Sequence, residues 1–188
     1  MAVDASASEQ SFSLSGQILL ASPSLADGTF DHSVIVLAEH SAKQGALGVI
    51  INHRSNTLVG DLLKDPKYAP LRELPIYKGG PLSTSELTFS SFSWNSQSGL
   101  DYQIRISAKV ASTLIKNDKH IVRATIGHSA WAPGQLEDEL KRNTWITAKP
   151  GKNLITSPHD ISLWQDLLKN ISPYHHLLAQ APKNPFLN

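Results

Sequence analysis

Short apolar segments dominate the first half of the chain and predict β-strands. Residues 17–21, 33–38 and 46–51 are runs of strand length that are rich in Ile, Leu and Val. The link between the second and third runs is short, and Gly45 within it suits a tight turn. We therefore predict that these two runs form an antiparallel hairpin. Weaker strand patterns follow at residues 75–77, 87–92, 102–106, 120–126 and 144–147.

Apolar positions at helical spacing appear mainly in the second half. Ser107 precedes one such segment and is suited to cap it. Pro133 suits the first turn of another, whose acidic start and basic end match the helix dipole. Ser157 begins a capping-box spacing ahead of a third. The four predicted helices cover residues 57–64, 107–115, 133–142 and 157–171.

Strand patterns that come early and helices that come late favour an α+β fold with a mixed, largely antiparallel sheet over a regular βαβ alternation. A chain of 188 residues has the length of one domain. We predict a disordered leader rich in Ala and Ser over residues 1–12, one domain over residues 13–171, and a Pro-containing tail over residues 172–188. A short helical turn is expected within the tail at residues 175–179.

Composition narrows the classes of function. The net charge is +1, which gives no long-range field to draw the protein to nucleic acid or to an anionic membrane. The absence of cysteine excludes thiolate nucleophiles and Cys-type zinc sites. The first residues carry neither the basic start nor the apolar stretch of a signal peptide, and no apolar run is long enough to span a bilayer. We therefore predict a cytoplasmic protein.

Eight histidines raise the question of a metal site. His32 and His40 bracket one predicted strand, whose straight length of about 26 Å keeps them from sharing an ion. His120 and His128 are separated in the same way, and no H-E-x-x-H motif occurs. We predict no metal site and no cofactor.

Residues 127–131 carry the strongest enzyme-like signal. They follow a predicted strand and precede a predicted helix, which is the setting of the G-x-S-x-G nucleophile elbow, and Ser129 stands in the serine position. Trp131 replaces the last glycine and is expected to crowd the turn. Asp160 follows as an acid, with His175 or His176 as a base. Ser129 is thus a weak candidate nucleophile, and an ordinary turn serine is the stronger interpretation.

Lys78, Gly79, Gly80 and Pro81 form a second local signal. A Gly-Gly pair lets backbone N–H groups turn toward an anion, and Lys78 adds positive charge. No complete phosphate-binding motif occurs anywhere in the chain. A tight turn before a proline is therefore the alternative interpretation.

Several segments together resemble the AlgH/YqgE family. The opening residues 16–23, the hairpin residues 45–52 and the central G-G-P at residues 79–81 agree with it in order and spacing. The later residues match its G-x-x-x-W-x-x-G-Q-L-x-x-E…W pattern, while His128 and Arg54 depart from it. The resemblance covers residues 16–168 and implies an α+β fold with a bulged sheet. It also implies the label of a transcriptional regulator, and it supplies no catalytic residues. The positions of the late pattern are Gly127, Trp131, Gly134, Gln135, Glu139 and Trp145.

Two classes of function follow. The first is a cytosolic regulatory protein that binds a small molecule or a protein partner, without direct binding to duplex DNA. The second is a small enzyme that uses Ser129, as a hydrolase would, or the carboxylate of Glu139. The first is favoured because no catalytic motif is complete. The candidate ligand-binding residues, which we expect to lie together, are Asn52, Gly79, Gly80, Pro81, Trp131, Gly134, Gln135 and Glu139.

Overall fold

The computed structural model describes residues 13–180, except for the side chains of His176 and Ala179. The predicted leader at residues 1–12 and the end of the predicted tail at residues 181–188 lie outside the described residues. Nine strands make up the sheet of the described chain. They are β1 (Ile18–Ala21), β2 (Val34–Ser41), β3 (Gly45–Ile50), β4 (Arg54–Leu58), β5 (Pro75–Lys78), β6 (Leu82–Asn95), β7 (Gly99–Ile106), β8 (His120–Trp131) and β9 (Trp145–Ala148).

The sheet is mixed and largely antiparallel, as the sequence predicts. The main path runs β4-β5-β8-β3-β2-β1-β9, and β6 pairs with both β8 and β7. Only the β5–β8 pair is parallel among these strands. The predicted hairpin is confirmed as β2–β3, with a register shift between Leu37 and Glu39. Shifts in β6 and β4 confirm the bulged sheet that the family resemblance implies.

The prediction of about four helices is too low. Residues 13–180 contain six α-helices and one 3₁₀ helix, and several of them have only one turn, too short to show apolar periodicity in the sequence. None is long and apolar enough to cross a membrane. The α-helices are α1 (Val59–Leu62), α2 (Ala108–Leu114), α3 (Gln135–Lys141), α4 (Asn153–Thr156), α5 (Ile161–Lys169) and α6 (Pro173–Gln180), and the 3₁₀ helix spans Pro66–Leu71.

Helix starts show where sequence patterns were sound. Ser107 caps α2 as predicted, since its hydroxyl accepts a hydrogen bond from the Val110 N–H. Asp160, rather than Ser157, caps α5. Gly134 occupies the cap position of α3 in a left-handed conformation, so Pro133 lies before the helix and not in its first turn. In addition, the predicted helix at residues 57–64 is helical only over α1 (Val59–Leu62), because its first two residues end strand β4. The part of the predicted tail at residues 173–180 is helix α6.

Three apolar clusters hold the sheet and helices together. Leu163, Trp164 and Leu168 of α5 pack on one face of β1 and β2, and Leu136 of α3 packs on the opposite face with Trp131 and Trp145. The third cluster joins β5, β6 and β8 to α2 and the 3₁₀ helix, and its buried members are Val59, Leu71, Ile76, Phe89, Ala111, Val122 and Ala124. Because alternate residues of each strand enter different clusters, both faces of the central sheet are covered.

Candidate functional site

The central strand β8 changes its pairing partner at Gly127, and the Gly79-Gly80 segment packs against β8 at that position. Residues 124–126 of β8 pair with β5, whereas residues 129–131 pair with β3. The Gly79 N–H donates to the Ile126 carbonyl at 2.8 Å, and the Ile50 N–H donates to the Gly79 carbonyl at 2.9 Å. A Cβ on Gly79 would lie 2.3 Å from the Gly127 carbonyl oxygen. Close backbone packing therefore explains why both positions are glycine, without any role in ligand binding.

An open cleft of about 540 Å³ lies beside this crossing. Three of the predicted residues line it, namely Asn52, Gly80 and Pro81. We call it the Asn52–Pro81 cleft. The remaining walls come from the loop after β1, the end of β3, the starts of β4 and α5, and the end of β5, through residues Gly28, Thr29, Ile50, His53, Arg54, Lys78, Asp160 and Ile161.

The Asn52 side chain shapes the floor of the cleft. Asn52 is only 3% exposed. Its Oδ1 accepts a hydrogen bond from the Val34 N–H at 2.8 Å, and its Nδ2 donates to the His32 carbonyl at 2.9 Å. Both ends of the amide thus hold the backbone between β1 and β2, so Asn52 positions the cleft wall rather than presenting free donors to a ligand.

Two cationic residues, Arg54 and Lys78, belong to the lining of the cleft. Arg54 and Lys78 are exposed, and the Lys78 N–H donates to the His53 carbonyl, so their backbones are neighbours across β4 and β5. His53 Nε2 donates to the Asp31 carbonyl at 3.0 Å. Burial lowers the pKa of His53, and the charge of Lys78 lowers it further. His53 is therefore mainly neutral at pH 7 in the absence of an anion.

Asp160 also lines the cleft and is bound to its own helix. Its Oδ1 accepts hydrogen bonds from the Ser162 N–H at 2.8 Å and from the Ser162 hydroxyl at 2.6 Å. These bonds hold the pKa of Asp160 below its usual range. The carboxylate thus caps α5 and stays ionised at neutral pH, so it adds one negative charge to the lining of the cleft.

Behind this wall, Arg123 bonds to a neutral histidine. Arg123 Nε donates to His159 Nδ1 at 2.9 Å, while His159 Nε2 donates to the Leu154 carbonyl. Burial lowers the pKa of His159 to about 4, and the charge of Arg123 adds to that effect. The Arg123 guanidinium also lies 5.2 Å from the centre of the Tyr77 ring. Burial lowers the pKa of Arg123, and the neighbouring Arg54 lowers it further.

A second pocket of about 470 Å³ adjoins the cleft. Pro81 lines both, and the loop that contains Asp27 and Phe30 separates them. Four predicted residues meet in this second pocket, which we call the Trp131–Trp145 pocket. They are Pro81, Trp131, Gln135 and Glu139.

Glu139 organises the second pocket. Its Oε2 accepts hydrogen bonds from the indole N–H of Trp131 at 2.8 Å and of Trp145 at 2.7 Å. Its Oε1 accepts one from Gln135 Nε2 at 2.9 Å. The two indole rings meet edge to face with centres 5.8 Å apart. The residues of the late sequence pattern therefore bind one another.

The predicted ligand-binding residues fall into these two adjoining pockets, with two exceptions. Gly79 is buried in the backbone crossing, and Gly134 begins α3 without lining either pocket. Sequence reasoning missed His53, Arg54 and Thr29. The first two follow Asn52 directly, and their place opposite Lys78 depends on the strand register, which no local pattern reveals.

Ser129 does not have the setting of a nucleophile elbow. The expected strand–turn–helix context at residues 127–131 is wrong, because β8 continues through Ser129 to Trp131. Ser129 is 1% exposed, and its hydroxyl donates to the Gly79 carbonyl at 3.4 Å. Asp160 is bound to Ser162, and His175 Nδ1 is bound to the Ser172 hydroxyl. These groups do not form a relay with Ser129.

Within residues 13–180, no three His, Asp or Glu side chains gather in a way that could hold a metal ion. The sequence prediction that the chain has neither a metal site nor a cofactor stays a prediction.

Comparison with known proteins places the chain among relatives of similar length. The AlgH-like family model matches residues 18–175. A UPF0301 protein of Bacteroides thetaiotaomicron is 29% identical over 184 residues, which cover 92% of this chain and 90% of that protein. A UPF0301 protein of Streptomyces coelicolor is 30% identical over 190 residues, which cover 94% and 96%.

Solved structures share the fold. A crystal structure of protein DIP2367 from Corynebacterium diphtheriae superposes with a TM-score of 0.68 at 24% identity, covering 87% of this chain and 90% of that one. The solution structure of AlgH from Pseudomonas aeruginosa gives a TM-score of 0.64 at 24% identity, with coverage of 90% and 95%. The bulged, mixed sheet with peripheral helices is thus an AlgH-like fold.

Proposed function

The chain belongs to the AlgH-like family, and we propose that it is a regulatory protein that binds a small ligand in the Asn52–Pro81 cleft and does not bind duplex DNA directly. The observation that carries this proposal is the cleft itself. It collects Asn52 and the consecutive residues Gly80 and Pro81 from two separate chain segments into one open space of about 540 Å³. A volume of that size suits a metabolite.

The construction of the cleft supports a binding role. Its backbone is fixed from below by the two hydrogen bonds of Asn52 and by the crossing at Gly79. Preformed walls lower the conformational cost of binding. By contrast, the exposed Arg54 and Lys78 side chains have no side-chain hydrogen bond among the described residues, which is the arrangement expected of groups that contact a ligand.

Direct DNA binding is disfavoured by charge. The whole chain has a net charge of +1, whereas a duplex-binding protein neutralises several phosphates with a concentrated basic face. We expect no complex in a gel-shift assay at physiological salt. Sequence-dependent binding below micromolar concentration would contradict this part of the proposal. The cytoplasmic location stays a prediction of the sequence.

No observation on the described residues favours the alternative of a Ser129 hydrolase. The hydroxyl is buried in β8 and bonds to a backbone carbonyl. We expect no ester or thioester turnover that depends on Ser129. Hydrolysis that is abolished by Ser129→Ala without loss of stability would reverse the ranking of the two functions.

A thermal-shift screen over a metabolite library tests the proposal, because a ligand that binds only the folded state raises the unfolding midpoint in a concentration-dependent way. Thr29→Trp fills the cleft from an exposed position whose side chain has no hydrogen bond within the described chain. Ser98→Trp places the same ring on the exposed β6–β7 turn and is the control. We expect the shift to vanish in Thr29→Trp and persist in Ser98→Trp. A hit that survives Thr29→Trp would move the site elsewhere.

A further inference from the structure

Residues 13–15 lie against the end of strand β2 and are held there by one residue, His40. The His40 carbonyl accepts a hydrogen bond from the Ser13 hydroxyl at 3.0 Å, and the His40 N–H donates to the Ser15 hydroxyl at 2.9 Å. The ring adds the third bond, because its Nδ1 accepts from the Leu14 N–H at 3.0 Å. Within the described chain, residues 13–15 make no other hydrogen bond to residues outside 13–17. The attachment of this segment, which we call the Ser13–Ser15 strap, therefore depends on His40.

The strap joins the sheet through a turn at Gly16. The Gln17 N–H donates to the Leu14 carbonyl, and Gly16 has a positive φ of 78°, which glycine adopts without strain. From Gly16 onward the chain bonds to β2, since the Gly16 N–H donates to the Leu37 carbonyl at 2.7 Å. The strap can thus separate from His40 while β1 stays paired with β2.

The His40 ring is buried between the strap and helix α3. Its side chain is 1% exposed, and its Nε2 lies 3.0 Å from Glu137 Oε1. A backbone N–H can only donate, so Nδ1 carries no proton in this arrangement, and the Nε2–H donates to the Glu137 carboxylate. The ring is therefore neutral while the strap is bound.

Protonation of the ring is incompatible with the bond to the strap. Both nitrogens of a charged imidazole carry a proton, so the Nδ1–H would face the Leu14 N–H, and neither donor would have an acceptor. The bond to Glu137 would be strengthened instead, because both of its partners would then be charged. Two buried donors without acceptors cost at least as much as the burial of one leucine contributes, so opening the strap to water relieves the conflict.

Glu137 is the carboxylate that faces the ring from α3. On β2 the neighbouring Glu39 is exposed and points to the other face of the strand. Lys43 lies in the exposed turn between β2 and β3, and the residue opposite His40 on β3 is Ala46. The strap itself brings no charged side chain, so Glu137 is the counter-charge for a protonated ring.

We propose that His40 makes the binding of the Ser13–Ser15 strap dependent on pH: the strap is bound while the imidazole is neutral and released when the imidazole is protonated. Imidazole is the side chain whose charge ordinarily changes between about pH 5 and about pH 8. Release withdraws Leu14 from the apolar cluster that it shares with Leu37 and Leu136, and so uncovers apolar surface between β2 and α3. This device is separate from the proposed ligand binding, because His40 lines neither the Asn52–Pro81 cleft nor the Trp131–Trp145 pocket.

Amide hydrogen exchange and the imidazole ¹⁵N signals of the full chain test the proposal in a series from about pH 8 to about pH 5. We expect the protection factor of the Leu14 amide, which corrects for the intrinsic effect of pH on exchange, to fall about tenfold or more as His40 is protonated. The amides of Val34 and Ile51, which are hydrogen-bonded inside the sheet, should stay protected. A Leu14 amide that stays protected after His40 is protonated would overturn the proposal. A ring that stays neutral until the whole protein unfolds, or a loss of protection that the sheet shares, would also overturn it.

Two variants identify the titrating group. His40→Asn places Oδ1 close to the position of Nδ1, so it keeps an acceptor for the Leu14 N–H but is not protonated, and its Leu14 protection factor should not depend on pH. His159→Gln removes another buried histidine and should leave the pH profile of Leu14 unchanged. Release that still depends on pH in His40→Asn, or that disappears in His159→Gln, would assign the effect to another group and reject the role of His40. If His40→Asn does not fold, the series on the unaltered protein and on His159→Gln decides.

Discussion

The two adjoining pockets of this protein contrast in how their polar groups are used. In the Trp131–Trp145 pocket, Glu139 accepts three hydrogen bonds from neighbours within the pocket. In the Asn52–Pro81 cleft, Arg54 and Lys78 stand at the rim without a carboxylate partner among residues 13–180. Polar groups that satisfy one another stabilise a fold, whereas unpaired charges at a concave surface are available to a ligand.

The contrast separates two kinds of sequence motif. The G-Q-L-x-x-E…W pattern contains the residues of a closed hydrogen-bonded cluster, so its residue types are explained by structure alone. The G-G-P turn is also explained in part by the crossing at Gly127. The cations beside it have no such structural explanation, and this makes the cleft the better candidate for function.

The largest loss of stability is expected when the hydrogen-bonded cluster around Glu139 is disrupted. Glu139→Ala leaves two indole N–H groups and the Gln135 amide without their acceptor, and hydrogen bonds to charged groups are each worth more than neutral ones. We expect a loss of about 4 kcal/mol in the free energy of unfolding, measured by urea denaturation with tryptophan fluorescence. Asp138→Ala, on the same helix but exposed and paired only with Lys141, should cost about 0.5 kcal/mol. Similar losses in the two variants would contradict the cluster's role.

The next effect tests whether the G-G-P glycines are structural. Gly79→Ala would place a Cβ 2.3 Å from the Gly127 carbonyl oxygen, and neither strand can move away without breaking the β5–β8 pairing. We expect a loss of about 3 kcal/mol or more in the free energy of unfolding. Gly134→Ala has open space around the new Cβ and only the cost of a positive φ of 80°, so about 1 kcal/mol is expected. If Gly79→Ala cost no more than Gly134→Ala in thermal or urea unfolding, the crossing would not explain the motif.

The sequence predicted those residues of the candidate site that carry a local signal, but not those that meet only through the pairing register of two strands. Asn52, Gly80 and Pro81 stood out because amide, glycine and proline residues mark strand ends and turns. Arg54 and Lys78 become neighbours only through the pairing of β4 with β5, a contact between segments more than 20 residues apart. Such long-range pairing depends on tertiary packing and leaves no local periodicity to detect.

The fold shows the same limit. The β2–β3 hairpin was predicted because its two strands are adjacent in sequence and joined at Gly45. The last part of β8 was not predicted as strand, because Gly127 suggested a turn. The strand instead continues past Gly127, whose φ is 79°, and pairs with β3. A glycine within a strand pattern marks either a turn or a close approach, and only the partner strand decides between them.

Behind the cleft, His159 gives a prediction on pH. Its folded pKa of about 4 is lower than the unfolded value near 6.5, so the unfolded chain binds more protons between these values. Stability should fall as the pH drops from about 6.5 to about 4, by up to roughly 3 kcal/mol from this residue, and the contribution should be constant above that range. His159→Gln keeps a donor and an acceptor but does not titrate. The difference between the two proteins in urea unfolding should therefore depend on pH only within this window, and a parallel pH profile would contradict the assignment.

The smallest change in stability is expected at Lys78, a cation that lines the Asn52–Pro81 cleft. Lys78→Gln removes an exposed cation that repels its neighbours and has no ion-pair partner in the described chain. We expect the free energy of unfolding to stay constant or to rise by about 0.5 kcal/mol at low salt, and the difference to shrink as salt screens the repulsion. Lys169→Gln, which loses an exposed pair with Asp166, should instead cost a few tenths of a kcal/mol or nothing. Paired urea titrations at low and high salt measure both. A clear destabilisation by Lys78→Gln would mean that this lysine supports the fold as Glu139 does, and the contrast between the two pockets would be lost.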